Sequence, residues 1–202
     1  MKKLSTLTSI ANEAEIYREE FLSLVKSIDL KSIIRVAELL YETSMREGSV
    51  FVCGNGGSAA LSQHFAIDLG LGTRRFLGAG GCRIFDLSSN AAVLTATSND
   101  LSFEEVFSRQ LELVGTKDDV LIVISASGNS RNLVNAVSTA KKLGIITVSL
   151  TGFQGGALME LAQYSIHIPS QIGEYGRVED SHSFVLHLLT HILRELNRMT
   201  LQ

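Results

Sequence analysis

The stretch Val120-Leu-Ile-Val-Ile-Ser-Ala-Ser-Gly-Asn-Ser-Arg-Asn132 joins five apolar, β-forming residues directly to a serine-rich turn. A helical pattern begins at Arg131, immediately after that turn. A buried strand that ends at a helix N-terminus presents backbone N–H groups and a favourable helix dipole to an anion. The turn contains no lysine, so it differs from the GxxxxGK[ST] loop of nucleotide-binding proteins. The pattern favours a small phosphorylated metabolite, with an ordinary helix N-cap as the alternative.

A second turn of the same kind follows the short apolar strand 49–52. It reads Cys53-Gly-Asn-Gly-Gly-Ser58, and a helical run starts at Ala59. Three glycines in six residues allow a ligand to approach the backbone closely and allow positive φ angles. Parallel strands place such turns at the carboxyl edge of a sheet, where ligands bind. The sequence therefore predicts that the two turns are two walls of one pocket.

The composition indicates a small protein of the cell interior. The 202 residues suit a single α/β domain, and 45% hydrophobic residues are ample for a core. A net charge of -3 provides no basic surface for nucleic acid. Cys53 and Cys82 form no disulfide framework, which favours a reducing cytoplasm. No signal peptide or membrane span is expected, since polar residues interrupt the N-terminus from Asn12 and no apolar run reaches spanning length.

The chain divides into a helical extension, residues 1–47, and an α/β core, residues 48–202, within one domain. Strands are predicted near 49–53, 82–87, 119–125, 145–150 and 164–168, and helices near 5–47 (two, split at 27–29), 58–70, 89–97, 103–114, 130–142, 156–162 and 177–199. The two N-terminal helices have no sheet of their own in this pattern. We therefore expect them to pack on a partner subunit in a homo-oligomer, the alternative being that they wrap their own domain.

Three polar clusters could carry chemistry. His64 and Asp68 are four residues apart and share a helix face, so they could bind a metal or act as base and orienter; a surface hydrogen-bonded pair is the alternative. The last helix carries a second cluster on one arc of about 120°, for which an ordinary solvent-exposed helix face is the alternative. Its members are Glu179, Asp180, Ser183, His187 and His191. Asn99-Asp100 is the third cluster, and the alternative to a role in substrate binding is a helix stop followed by an N-cap.

Five segments resemble a sugar isomerase (SIS) domain: CGNGGSAALSQHFA, LTATSND, EEVFSRQL, DDVLIVISASGNSRN and VSLTGFQGG. Within that superfamily the chain is similar to the phosphoheptose isomerase group and to its replication-linked relative, the DnaA initiator-associating protein. The resemblance covers nearly the whole chain. It implies a flavodoxin-like fold with a five-stranded parallel sheet, and homotetramers with active sites between subunits. It also implies conversion of sedoheptulose 7-phosphate to D-glycero-D-manno-heptose 7-phosphate, the first step toward the heptose of bacterial surface polysaccharides.

The same resemblance implies a set of site residues. Those expected to line the substrate are Asn55, Gly56, Gly57, Ser58, Asp68, Asn99, Asp100 and Glu179. Those expected to hold its phosphate are Ser125, Ala126, Ser127 and Ser130. Isomerase members place a zinc ion among His, Glu, Gln and His, and the matching positions here are His64, Asp68, Glu179 and His187.

Two of these four positions depart from the family pattern. Asp68 is one methylene shorter than the family glutamate, and a misplacement of about 1 Å can cost on the order of 100-fold in rate. Glu179 replaces an amide with a carboxylate, so two carboxylates would cancel the charge of a divalent ion. Isomerisation needs a base for the C1–C2 proton and an acid or metal for the carbonyl. The glutamate and second histidine of the family are its proposed acid/base pair.

The sequence therefore predicts Asp68, Glu179 and His187 as the catalytic residues. Either carboxylate takes the proton, and His187 serves the ring or carbonyl oxygen. The alternative function is a non-catalytic regulator that binds a sugar phosphate or DnaA. His187 favours the enzyme, because the replication-linked relative lacks a histidine at the matching place.

Overall fold

A parallel β-sheet forms the centre of the computed structural model, which describes residues 2–74 and 82–200. The strands are β1 (Ser49–Gly54), β2 (Arg83–Asp86), β3 (Val120–Ser125), β4 (Ile146–Thr151) and β5 (Tyr164–His167). Their order is β2-β1-β3-β4-β5, and every neighbouring pair is parallel. This is the flavodoxin-like order, whose topological switch point lies between β1 and β3. The predicted fold class and the five strands are confirmed.

Helices cover both faces of the sheet. They are α1 (Lys2–Ser27), α2 (Leu30–Met45), α3 (Gly57–Arg74), α4 (Ala91–Asp100), α5 (Ser108–Val114), α6 (Arg131–Leu143), α7 (Gly156–Leu161) and α8 (Tyr175–Thr200). Helices α2, α3 and α8 pack on one face, and α5, α6 and α7 pack on the other. Within the described ranges, no helix combines the length and the apolar character that a membrane crossing requires.

Strand β3 is buried along its whole length because the sheet is covered on both sides. Ile122 and Ile124 enter the core on the side of α2, α3 and α8. Leu121 and Val123 enter the core on the opposite side. The continuous apolar run of the sequence is therefore what a doubly covered central strand requires.

One predicted helix is divided in the structure. The range 103–114 contains a 3₁₀ turn at Phe103–Glu105, followed by α5. Val106 and Phe107, between the two pieces, are both buried in the core. Adjacent residues do not share a face of a regular helix, so the break allows both side chains to point inward.

The two N-terminal helices differ in how they pack. Helix α2 places Ile33, Val36 and Leu40 in the core against the sheet and α8, so the interpretation that both helices lack a sheet is wrong for α2. Asp29 begins this helix by accepting a hydrogen bond from the Lys31 backbone N–H. In α1 none of the side chains from 9 to 27 is buried, and the helix packs along α8. Since no side chain of α1 between 9 and 27 is buried, this helix remains available for the oligomer contact that the sequence predicts.

Candidate active site

The serine-rich turn lies between β3 and α6, at the carboxyl edge of the sheet. Ser125 Oγ accepts a hydrogen bond from the Gly128 backbone N–H at 3.1 Å, which closes the turn. Ser130 is the N-cap residue of α6, but its side chain makes no capping hydrogen bond. An N-cap serine ordinarily accepts a bond from the helix backbone. The Ser130 hydroxyl thus lies at the helix N-terminus but does not form the capping hydrogen bond that the alternative interpretation of this turn expects.

A second loop, residues 152–156, supports this turn from behind. The Gly152 N–H donates to the Ala126 carbonyl at 3.1 Å, and the Leu158 N–H donates to the Gly128 carbonyl at 2.9 Å. Gly128 has a φ of +67°, and a Cβ placed there would collide with the Gly155 carbonyl oxygen. Only glycine fits this backbone contact.

The glycine-rich turn lies beside the serine-rich turn. Gly54 pairs with Ile124 in the β1–β3 register, so both turns leave the sheet at adjacent positions. Asn55 and Asn132 exchange two side-chain amide hydrogen bonds, of 3.0 Å and 2.8 Å, which join the two turns directly. The sequence predicted two neighbouring walls, and the structure places them side by side. The sequence pattern did not single out Asn132. Its position in the first turn of α6, next to the serine-rich turn, was the available signal.

A cluster of three side chains lies two turns further along α3. Asp68 Oδ2 is 3.4 Å from Nε2 of both His64 and His187. The two imidazole rings meet edge to face with centroids 5.0 Å apart. The candidate ligand atoms of all three residues lie within 4.8 Å of one another. Two imidazoles and one carboxylate form a donor set that suits zinc, with room for a further ligand.

Glu179 lies outside this cluster, although the sequence predicts it as the fourth ligand. Its carboxylate rests against Gly57, where a Cβ would collide with it. Glu179 and His187 are eight residues apart, which is about 12 Å along a helix. One carboxylate therefore accompanies the histidines, while the other lies at the start of α3 beside the glycine-rich turn.

Asp86, at the end of β2, supports the glycine-rich turn from below. Its Oδ1 accepts hydrogen bonds from the Ser62 hydroxyl at 2.7 Å and from the Ser88 N–H at 3.0 Å. The Ser88 hydroxyl in turn bonds Gly54 at 3.1 Å. The sequence pattern did not predict this network. Its signal was an acidic residue at the carboxyl end of a predicted strand.

The remaining predicted residues are placed less closely. Asn99 and Asp100 are exposed at the end of α4, where the Asn99 amide donates to Asp100 Oδ1 at 2.9 Å. Their side chains bond each other rather than either turn, so their contact with a substrate stays a prediction. Ser58 and Ala126 are buried, and Ser127 is half-buried within its turn. Ser183 lies near Asp68 and His187, whereas His191 is exposed one turn beyond.

His182 is a fully buried histidine on α8. Burial lowers the pKa of this imidazole to about 4, and the nearby Thr151 backbone offsets a part of that effect. Neither ring nitrogen is in good hydrogen-bond geometry with a described residue. The ring is therefore held neutral in the folded protein at neutral pH.

The fold and its two turns define a flavodoxin-like α/β protein with a candidate ligand site at the switch point of its sheet. Residues 16–152 match the SIS domain family. A phosphoheptose isomerase of Helicobacter pylori (strain P12) is 40% identical over 182 residues, which cover 87% of this chain and 92% of that protein. The chain therefore belongs to the SIS domain family and, within it, to the phosphoheptose isomerases.

Solved structures agree with this assignment. A phosphoheptose isomerase from Francisella tularensis superposes with a TM-score of 0.83 at 27% identity, over 94% of this chain and 98% of that one. The phosphoheptose isomerase GmhA from Neisseria gonorrhoeae gives a TM-score of 0.78 at 28% identity, over 94% and 97% of the two chains. The similarity thus includes the N-terminal helices as well as the sheet.

The contact between the two loops predicts the effect of adding one methyl group. Gly128→Ala introduces a Cβ that collides with Gly155, so we expect a loss of stability of about 1–3 kcal/mol and loss of phosphate binding. Gly173→Ala is the matched control, because Gly173 also has a positive φ, +98°, but has no atom within 4 Å of its added Cβ. Urea unfolding and calorimetric titration with inorganic phosphate measure the two effects. Wild-type phosphate affinity in Gly128→Ala would contradict the assignment of this turn.

The buried imidazole predicts a pH dependence of stability. The unfolded chain binds a proton at His182 below about pH 6.5, whereas the folded protein resists it down to about pH 4. Stability is therefore lost as the pH falls from about 6.5 to 4, by about 3 kcal/mol at 1.36 kcal/mol per unit. Urea unfolding across this range should show that loss in wild type and in His191→Gln, and a smaller loss in His182→Gln. Equal losses in all three proteins would disprove the assignment.

Proposed function

We propose that this protein is an aldose–ketose isomerase that converts sedoheptulose 7-phosphate to D-glycero-D-manno-heptose 7-phosphate for heptose biosynthesis. The observation that carries the proposal is a set of three features on adjoining elements: the serine-rich N-terminus of α6, the Glu179 carboxylate at the start of α3, and the histidine cluster two turns further along α3. The family relationship supports it, since relatives that match 87% of the chain are phosphoheptose isomerases.

The phosphate of the substrate binds at the serine-rich turn. The helix dipole of α6 favours an anion there, and the hydroxyls of Ser125, Ser127 and Ser130 add donors to the backbone N–H groups. No acidic side chain lies within 125–130 to oppose a dianion. The reacting end of the sugar then extends toward the start of α3 and the carboxylates.

Glu179 acts as the base that moves the proton between C1 and C2. Its carboxylate lies beside the glycine-rich turn and forms no ion pair with a described residue. Asp68 is placed differently, because one of its oxygens lies 3.4 Å from both histidines. We assign to Asp68 the orientation of these rings and to His187 the exchange of a proton with the ring or carbonyl oxygen.

The donor set of His64, Asp68 and His187 fits a zinc ion, and Glu179 stays outside it. When bound, such an ion supplies a Lewis acid that polarises the carbonyl. The protein holds these side chains on two packed helices, so that their spacing is set before substrate arrives.

A homotetramer with active sites between subunits completes the proposal. The side chains of His64 and His187 are 55% and 54% exposed, although a catalytic site needs protection from water. Ile67, Leu71 and Phe184 are exposed apolar residues on the same two helices. A partner subunit that covers this face would exclude water from the site. The two cysteines are buried and unpaired, which supports action in the cytoplasm.

Light scattering tests the assembly. We expect a mass about four times that of the 21.9 kDa chain. Replacement of Leu71 by Glu should lower this mass, because a charge in an apolar interface is costly. A monomeric wild-type protein at micromolar concentration would contradict the tetramer.

Turnover of sedoheptulose 7-phosphate, followed by NMR with and without chelator, tests the activity. Glu179→Gln removes the proposed base and should lower kcat by about 100-fold or more, while Glu160→Gln, an exposed Glu-to-Gln control, should not. Asp68→Asn should also lower kcat, and it should weaken zinc binding measured by titration. Wild-type turnover in Glu179→Gln would disprove its role as base. An absence of turnover with every metal, together with binding of an initiator protein, would favour the regulator.

A further inference from the structure

The first two turns of α8 make three different sets of contacts. Arg177 and Asp180 contact α1, and Arg177 also pairs with Glu174, the residue just before the helix. Val178 packs in a cluster with Ala126, inside the serine-rich turn. Glu179 rests against Gly57. These contacts link α1, through one short piece of helix, to both turns of the candidate site.

Tyr17 is the central residue of the α1 contact. Its hydroxyl donates a hydrogen bond to Asp180 Oδ2 at 2.9 Å. The Arg177 guanidinium lies over the Tyr17 ring, 4.8 Å from its centroid, and forms ion pairs with Glu20 and Glu174. The Arg177 side chain is only 14% exposed, so it is packed beneath Tyr17, which is itself 40% exposed.

The fit between the two helices is close at this point. A Cβ added to Gly176 would come within 3.0 Å of the Tyr17 hydroxyl, so the glycine allows the ring to lie on the start of α8. No α1 side chain from 9 to 27 is fully buried, although Leu24 packs against the core. The contact at Tyr17 is therefore one of the few that arrange α1 against the start of α8.

We propose that Tyr17 is a positioning residue for Glu179. Its hydrogen bond holds Asp180, and the neighbouring Glu179 is thereby held against Gly57. The catalytic consequence rests on the proposed function, in which Glu179 moves the proton. A displacement of about 1 Å at a reacting group can cost on the order of 100-fold in rate. The loss of the Tyr17 hydroxyl on α1 can therefore change the reaction rate, although this hydroxyl does not contact the candidate site.

The chain offers a matched control for this hydroxyl. Tyr41 forms a side-chain hydrogen bond of 2.7 Å with Thr200, at the other end of α8. Tyr17→Phe and Tyr41→Phe each remove one hydroxyl that joins an N-terminal helix to α8. Glu179 is 21 residues from Thr200, about 31 Å along the helix, so only the first variant should affect Glu179.

An NMR comparison tests the position of Glu179 without any assay of activity. The backbone amide resonance of Gly57 should shift in Glu179→Gln, because the carboxylate beside it is removed. It should also shift in Tyr17→Phe, and it should stay unchanged in Tyr41→Phe. An unchanged Gly57 resonance in Tyr17→Phe overturns the proposal, whether or not the protein is an isomerase.

Kinetics test the consequence. Tyr17→Phe should lower kcat about tenfold and leave KM within about twofold, since the apolar packing of Val178 against the serine-rich turn does not involve the Tyr17 hydroxyl and only the orientation of the base is lost. In the Glu179→Gln background the same change should have no further effect on kcat, because a residue that acts through another shows non-additivity. Additive losses would overturn the positioning role. An inactive wild type would instead refute the proposed function, and the Gly57 resonance would still decide the role of Tyr17.

Discussion

The parallel pairing of β1 with β3 is the constraint on which the candidate site depends. Both strands are buried, both end at the same edge, and their register sets Gly54 beside Ile124. Each strand must then turn into a helix within a few residues, so two backbone turns are forced together at the switch point. The two side-chain hydrogen bonds between Asn55 and Asn132 hold the two turns next to each other. The N-terminus of α6 and the start of α3 thus lie at the same edge of the sheet before any side-chain chemistry is added.

Much of this arrangement follows from local sequence pattern. The apolar run before Ser125 and the glycines after Cys53 predict strands, turns and helix starts within a residue or two of their observed places. The spacing of His64 and Asp68 predicts a shared face of α3, and the structure brings His187 of α8 next to both of them. Hydrophobic periodicity and turn chemistry are local properties, so they can be read without knowing which elements meet.

The remaining features depend on tertiary contacts between distant segments. The placement of α2 in the core depends on the gap between β1, β5 and α8, which the pattern of α2 alone does not reveal. The contact of Glu179 with Gly57 and that of Tyr17 with Asp180 join residues more than one hundred positions apart. The family pattern gives the residue types at the site. It does not give the positions of the carboxylates of Asp68 and Glu179, which differ from the family residues.

The two departures from the family pattern are best understood together. If both carboxylates lay among the histidines, they would cancel the charge of a divalent ion and blunt its effect on a carbonyl. The structure places Asp68 alone with His64 and His187, and it separates Glu179 by about two turns of α8. One carboxylate leaves such an ion with a net positive charge. The other is free of the histidines and near the glycine-rich turn, where a base must reach the sugar. In the proposed function, the shorter aspartate and the added glutamate divide between two positions the work that the family assigns to one glutamate.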